Sequence, residues 1–245
     1  MRLPAIAGVL ERRILVNFRI QPDAIDAVLP EPFRATRVKG WAVGGICLIR
    51  LSQVRPRTLP RFLGHSSENA AHRIAVDWSD AGRPQHGVFI PRRDTSSRLN
   101  ACLGGRLFPG EHHRADFEVA ESDERVHVAA TSRDGSAHMS IEGRRGYEFP
   151  TSSIFGSLQE ASDFFEAGSL GYSVTSSDGV YDGLELRTFQ WEVEPLAVEK
   201  VESSFFFDPD RFVPGSVELD CALLMQNVPH EWHSRGSLCC EGQLA

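Results

Sequence analysis

Apolar and polar positions alternate along Arg12 to Ile20, with Ile14, Val16 and Phe18 in step. A period of two places such residues on one face of an extended chain, so the spacing predicts a strand. Ala42 to Leu51 is a longer apolar run with Gly44 and Gly45 inside it. Shorter runs of strand character span Arg73 to Trp78, Gly87 to Ile90, Ala115 to Val119, Arg125 to Ala130 and Ala137 to Ile141. Leu184 to Val193, Ala197 to Phe207 and Ser216 to Met225 continue the series. Turn residues separate them. Asp134-Gly135 predicts a tight hairpin turn, and Asp178-Gly179 and Asp182-Gly183 mark further turns.

Two segments have helical signals instead. Pro22 to Leu29 carries a proline in its first turn, Asp23 near the positive end of the dipole, and Pro30 as a stop. Ser157-Leu158-Gln159-Glu160 is a capping box, and the helix it opens runs to about Gly168. Leu158, Ala161, Phe164 and Phe165 give that helix an apolar face. Many strands and two helices predict an α+β chain, mainly antiparallel β, with the sheet closed or nearly closed. With no repeat, low-complexity tract or linker, residues 1–245 are expected to form one domain. Gly8 to Glu11 and the last ten residues are expected to fray.

The 245 residues hold 26 Lys and Arg against 33 Asp and Glu, a net charge of -7. Sequence-general nucleic-acid binding needs a positive excess, so it is disfavoured. All but two of the basic residues are arginine; the lysines are Lys39 and Lys200. Imine chemistry therefore has only those two candidates. The five cysteines, Cys47, Cys102, Cys221, Cys239 and Cys240, are odd in number and lack metal-ligand spacing, which predicts reduced thiols. No apolar stretch is long enough for a membrane helix, and the first residues lack a signal-peptide core. A cytoplasmic protein without membrane contact is expected.

Three segments could carry chemistry. Phe89-Ile90-Pro91-Arg92-Arg93-Asp94-Thr95-Ser96-Ser97-Arg98-Leu99-Asn100 concentrates arginines, hydroxyls and an acid just after a strand. Two inward arginines there would form a fork for a carboxylate or phosphate, with Asp94 neutralising one and orienting the other. A solvated polar loop is the plainer alternative. Arg106, in a glycine-rich turn, could face the same cavity. In His65-Ser66-Ser67-Glu68-Asn69-Ala70-Ala71-His72-Arg73, Glu68 and His72 can transfer protons and share a face if the stretch is helical; a satisfied strand-start histidine is the alternative. Pro229-His230-Glu231-Trp232-His233 suggests a metal turn, with His112-His113 as a source of a third ligand. The spacing is not that of H-E-x-x-H, so no metal is expected.

Several stretches together resemble a known family. They are Gly45-Ile46-Cys47-Leu48-Ile49-Arg50, Ser67-Glu68-Asn69-Ala70-Ala71-His72-Arg73, Ile90-Pro91-Arg92-Arg93-Asp94-Thr95-Ser96-Ser97, Gly168-Ser169-Leu170-Gly171-Tyr172-Ser173 and Asp220-Cys221-Ala222-Leu223-Leu224-Met225. This set is similar to the bacterial YqjF-like proteins of DUF2071, which are grouped more distantly with acetoacetate decarboxylase-like proteins. The resemblance implies a cone-like, largely antiparallel barrel around an internal cavity. Arg93-Asp94-Thr95-Ser96 resembles the run that leads to the lysine pair of the decarboxylases, but here the run continues Ser97-Arg98-Leu99-Asn100. Neither arginine nor asparagine forms an imine with a ketone at neutral pH.

The leading expectation is thus a cavity enzyme acting on a small organic acid or carbonyl compound without a Schiff-base lysine or any cofactor. Arg92, Arg93, Ser96, Arg98, Asn100 and Arg106 would bind the substrate, and Glu68, His72 or Asp94 would move a proton. One alternative is a non-catalytic protein whose cavity holds a small ligand. Another is a barrel in which the arginines form only a bracing ion-pair network. Assembly with further copies of the chain is left open.

Overall fold

Between Ile14 and Phe18 every residue of the first strand is buried. A strand covered on one face alternates between buried and exposed positions; one covered on both faces reads as a continuous apolar run. The computed structural model, which describes residues 5–105 and 109–239, supplies the two covers.

The strands, in chain order, are β1 Ile6–Ile20, β2 Arg34–Ala35, β3 Arg37–Val38, β4 Trp41–Pro56, β5 His65–Asp80, β6 Arg83–Thr95, β7 His113–Glu121, β8 Arg125–Ser132 and β9 His138–Arg144. They continue with β10 Leu170–Val174, β11 Val180–Thr188, β12 Glu194–Pro195, β13 Ala197–Ser203, β14 Val217–Ser234 and β15 Leu238–Cys239. The α-helices are α1 Pro22–Asp26, α2 Arg98–Leu103 and α3 Leu158–Ala167. Pairings follow the path β5–β6–β10–β11–β14–β1–β4 and return to β5, while β7, β8, β9 and β13 extend from β6 as an antiparallel continuation. The pairs are antiparallel except β6 with β10 and β6 with β7. The mainly antiparallel α+β architecture is therefore the one expected. Among the described residues no helix is long and apolar enough to cross a membrane.

One face of the central strands, with Ile14, Val16, Ile46, Leu48 and Ile74, packs on Val128, Met139 and Ile141 of the continuation and on Phe206. The opposite face, with Leu15, Cys47, Ala75 and Leu223, packs on Ala161 and Phe165 of α3 and on Ile154 and Phe155 before it. Close packing of β1 on β4 depends on glycine: a Cβ on Gly45 would stand 2.1 Å from the Val16 carbonyl oxygen.

Differences from the sequence expectation lie mostly at element ends. Residues 91–95 belong to β6 and residues 65–72 to β5, so these polar stretches are strand rather than loop or helix, and the rest of the first segment enters α2 at Arg98. Gly8 to Glu11 lie within β1, held on both sides by β4 and β14 rather than frayed. Helix α1 stops at Asp26. Helix α2 has no counterpart in the sequence expectation; Ser97 caps it by accepting from the Asn100 backbone N–H at 3.1 Å. The predicted cap of α3 is present, with Ser157 Oγ accepting from Glu160 N at 3.1 Å. Asp134-Gly135 turns the chain from β8 to β9 with Gly135 at φ 74°. Cys47 and Cys221 are buried free thiols, whereas Cys102 and Cys239 are exposed; Cys240 lies outside the described residues.

Candidate functional site

Neighbouring side chains on a strand point to opposite faces, and β6 applies this rule to Arg92, Arg93 and Asp94. Arg92 and Asp94 share one face. Arg92 Nε donates to Asp94 at 3.0 Å, and its Nη2 donates to Asp134 at 2.9 Å and to Ser132 Oγ at 2.5 Å. Hydrogen bonds from Ser136, Ser132 and Arg92 outweigh the small desolvation of Asp134 and hold its carboxyl far below the usual range. Asp94 is 1% exposed, and its partner is Arg92, not Arg93.

Arg93 emerges on the opposite face. Its Nε donates to Ser173 Oγ at 2.7 Å. Among the described residues no carboxylate reaches it at salt-bridge distance. Burial pushes its guanidinium down to about 10, opposed by the nearby Cys47, and it stays cationic at neutral pH. Ser173 in turn sits against Gly110, where a Cβ would come within 2.4 Å of the Ser173 Cβ and where φ is +77°. Glycine is thus required at that turn both for space and for conformation.

Arg93 lines a cavity of about 90 Å³. Asn69, Asn100 and His112 supply the other polar groups, Asp94 lines the cavity while its carboxylate is held by Arg92 on the other face, and the walls are apolar, including Ile49, Leu51, Leu184 and Trp232. With Ile6, the lining strands are β1, β4, β5, β6, β11 and β14, joined by Asn100 of α2 and by His112 before β7, so the cavity lies inside the ring of paired strands. Asn69 is held by Thr95, whose hydroxyl donates to Asn69 Oδ1 at 2.8 Å. Asn100 is held at the start of α2, its Nδ2 donating to Ser67 Oγ at 3.4 Å.

His112 Nδ1 lies 3.1 Å from the Gly110 carbonyl oxygen. A carbonyl only accepts, so Nδ1 carries the hydrogen and Nε2 of the neutral ring keeps a free lone pair. Burial, with a smaller effect from Arg93, pushes the imidazole down to about 4, against the support of Gly110. The cavity therefore combines a fixed cation, a neutral imidazole and two side-chain amides in a largely apolar enclosure. That set can hold a small anion and accept a proton from it.

The other candidates from the sequence lie elsewhere. Glu68 bonds Arg12 at 2.5 Å and Arg50 at 2.6 Å, and the same two arginines bond Glu121 at 2.6 and 2.9 Å, a closed ring of alternating charge. His72 is 1% exposed, packs on the Phe205 ring and shares a hydrogen bond with Ser203 Oγ at 3.1 Å. Burial first, then Arg92 and Arg211, push it down to about 3, so it is neutral. On β5 the four-residue spacing of Glu68 and His72 is not a helical turn, and the two join different networks. Ser96 Oγ accepts from the Glu68 backbone N–H at 2.9 Å. Arg98 is exposed on the first turn of α2. Arg106 lies outside the described residues.

Of the residues singled out in the sequence, the cavity brings together Arg93 and Asn100, while Asp94 lines it with its carboxylate turned to Arg92 on the other face. It adds His112, Asn69 and, through Arg93, Ser173. In the sequence His112 carries only a metal-ligand signal. Alternation carried through Arg92, Arg93 and Asp94 would have shown which arginine stands apart from the acid. On β14 the same alternation separates His230, buried against Trp232, from His233, which bonds Glu231 at 3.0 Å. No cluster of three metal-ligating side chains occurs among the described residues. Lys39 is exposed, Lys200 pairs with Glu202 at 2.8 Å, and neither lines the cavity.

Comparison with known proteins agrees with the fold. The model of the DUF2071 family, described as an uncharacterized conserved protein (COG2071), matches residues 9–221. Curated proteins give no match. Among solved structures, acetoacetate decarboxylase from Legionella pneumophila is similar with a TM-score of 0.64 at 9% identity, over 99% of this chain and 90% of that one. An acetoacetate decarboxylase-like enzyme from Sphingomonas wittichii RW1 gives 0.58 at 11% identity, over 97% and 93%. The enduracididine biosynthesis enzyme MppR, complexed with pyruvate, gives 0.57 at 10% identity, over 96% and 89%. At such identities the likeness establishes the fold.

Proposed function

The chain belongs to the DUF2071 family, and on that footing we propose that its inner cavity binds a small organic acid or carbonyl compound and moves a proton on it without an imine. The observation that carries this reading is Arg93: a desolvated cation on a cavity wall with no carboxylate partner among the described residues. An uncompensated buried charge is costly, and a carboxylate ligand would remove the cost while forming charge-assisted hydrogen bonds to the guanidinium. The apolar walls exclude water and strengthen that attraction.

In this reading Arg93 binds the carboxylate and Ser173 keeps the guanidinium aimed at it. His112 Nε2 accepts a proton from the carbon next to the carbonyl. Asn69 and Asn100 hold polar atoms of the substrate. A ligand carboxylate cancels the field of Arg93 at His112, raising the imidazole's proton affinity when it has to act. No lysine lines the cavity, so the carbanion would be stabilised by hydrogen bonding and charge rather than by an iminium. Pyruvate, present in one structural neighbour, makes 2-oxo acids the first substrates to try.

The test combines binding with isotope exchange. Pyruvate and related acids should raise the melting temperature, and deuterium from solvent should enter the carbon next to their carbonyl. Arg93→Gln should abolish both effects, whereas His112→Gln should keep binding and lose exchange. Binding without exchange in the unaltered protein would identify a ligand-binding protein instead. No binding across a broad panel of acids would end both readings.

A further inference from the structure

Two more arginines face the inner side of the sheet, outside the cavity just described. Arg73 on β5 is 5% exposed. One of its terminal nitrogens donates to Asn17 Oδ1, and its guanidinium lies 4.8 Å from the centre of the Phe165 ring. Its Nε is buried and has no hydrogen-bond partner. Arg13 on β1 also has a buried Nε without a partner. It reaches the Met225 sulfur at 4.0 Å and lies 5.7 Å from the Trp191 ring. Among the described residues no Asp or Glu pairs with either arginine.

Between them, under α3, is a separate cavity of about 30 Å³, lined by Arg13, Arg73, Leu15, Phe164, Phe165 and His86. His86 stands at the rim with its Nδ1 engaged by Asp77 at 2.9 Å. Neither thiol nearby is a clear source of compensating charge. Burial pushes Cys221 up to about 12, and Cys47 lies in the apolar layer rather than on the cavity wall.

We propose that this second cavity binds a small monovalent inorganic anion of about chloride size, held between Arg13 and Arg73. The two guanidiniums offer only donors and positive charge, which selects an anion over a cation. Space for one or two water-sized particles excludes an organic acid with an apolar body. Aromatic rings complete the enclosure, and their positive edges suit a halide as well. The bound ion would fill the unpaired Nε positions and relieve the mutual repulsion of two cations in a desolvated layer. It would also fix α3 to the sheet, since Phe164 and Phe165 form the roof. The inference is independent of the Arg93 cavity, which has different walls.

Crystals of the full chain soaked in sodium bromide give a direct test through anomalous scattering at the bromine edge. The expected result is a peak between Arg13 and Arg73. In solution, replacing gluconate by chloride at constant ionic strength should raise the melting temperature by several degrees and then saturate. Arg13→Gln, the less buried of the pair, should remove that saturable rise, while Arg93→Gln should keep it. No bromide peak at this position overturns the proposal. So does a melting temperature indifferent to the choice of anion; with a peak present, that outcome marks an adventitious ion only. A rise lost in Arg93→Gln but kept in Arg13→Gln would move the effect to the first cavity and equally overturn it.

Discussion

Arg93 and His112 line the same cavity, and the charge of the first helps to depress the proton affinity of the second. The two are coupled through any ligand that neutralises Arg93. Near pH 5 the free protein holds His112 neutral, because its folded value is about 4. A carboxylate bound to Arg93 raises that value, so binding should take up part of a proton and strengthen as the pH falls toward 5. Titration calorimetry in two non-carboxylate buffers of different ionisation enthalpy reads the uptake directly. Equal apparent enthalpies in the two buffers would break the link between Arg93 and His112.

Arg92 and Arg93 should respond to the same substitution in opposite ways. Arg92→Gln strands Asp94, which is 1% exposed, and should cost about 3 kcal/mol of stability by the usual effect of breaking a buried pair. Carboxylate binding should survive, because Arg92 points away from the cavity. Arg93→Gln removes a desolvated cation with no acid partner. It should leave stability unchanged or improved and abolish carboxylate binding. Denaturant unfolding and a ligand thermal shift on both variants separate the two roles.

Two buried histidines, together with His112 of the cavity, should make the protein acid-sensitive. His72 and His230 are each 1% exposed, with folded values pushed mainly by burial down to about 3 and about 4. Unfolded histidine titrates near ~6.5, so below that pH the unfolded chain binds protons that the folded chain refuses. Their contribution is complete above ~6.5 and declines as the pH falls toward 4. Each should contribute a slope of about 1.4 kcal/mol per pH unit in the middle of that window. Urea unfolding at several pH values measures it, and His230→Phe should remove one proton's worth. A flat profile between pH 6.5 and 4.5 would show that neither ring stays neutral.

The ring of Arg12, Glu68, Arg50 and Glu121 should act as a brace. Arg12 is 2% exposed, so Glu68→Gln leaves a buried cation with only Glu121 to balance it. The expected cost is about 2–3 kcal/mol, with carboxylate binding and isotope exchange unaltered. Loss of exchange at unchanged stability would instead give Glu68 the proton-transfer role that its position argues against.

The sequence by itself determined the class of fold. Period-two alternation, the Asp134-Gly135 turn and the Ser157 capping box depend on neighbours a few residues away, and local physics decides them. It also showed that chemistry concentrates around Arg93 and that lysine is missing from that stretch. The tertiary structure decided the rest. Whether residues 65–72 and 91–95 are strand or loop depended on β4, β5 and β6 lying side by side, because paired neighbours give a polar segment the hydrogen bonds that its own side chains do not predict. Once residues 91–95 are a strand, alternation alone pairs Arg92 with Asp94 and sets Arg93 apart; the tertiary structure adds Asp134, more than forty residues away, as a second acid on Arg92. His112 joined Arg93 through the parallel pairing of β6 with β7, which sets Asp94 beside His113. Burial and long-range charge are properties of that closed arrangement, and they turn an ordinary histidine and an ordinary arginine into a candidate base and a candidate anion anchor.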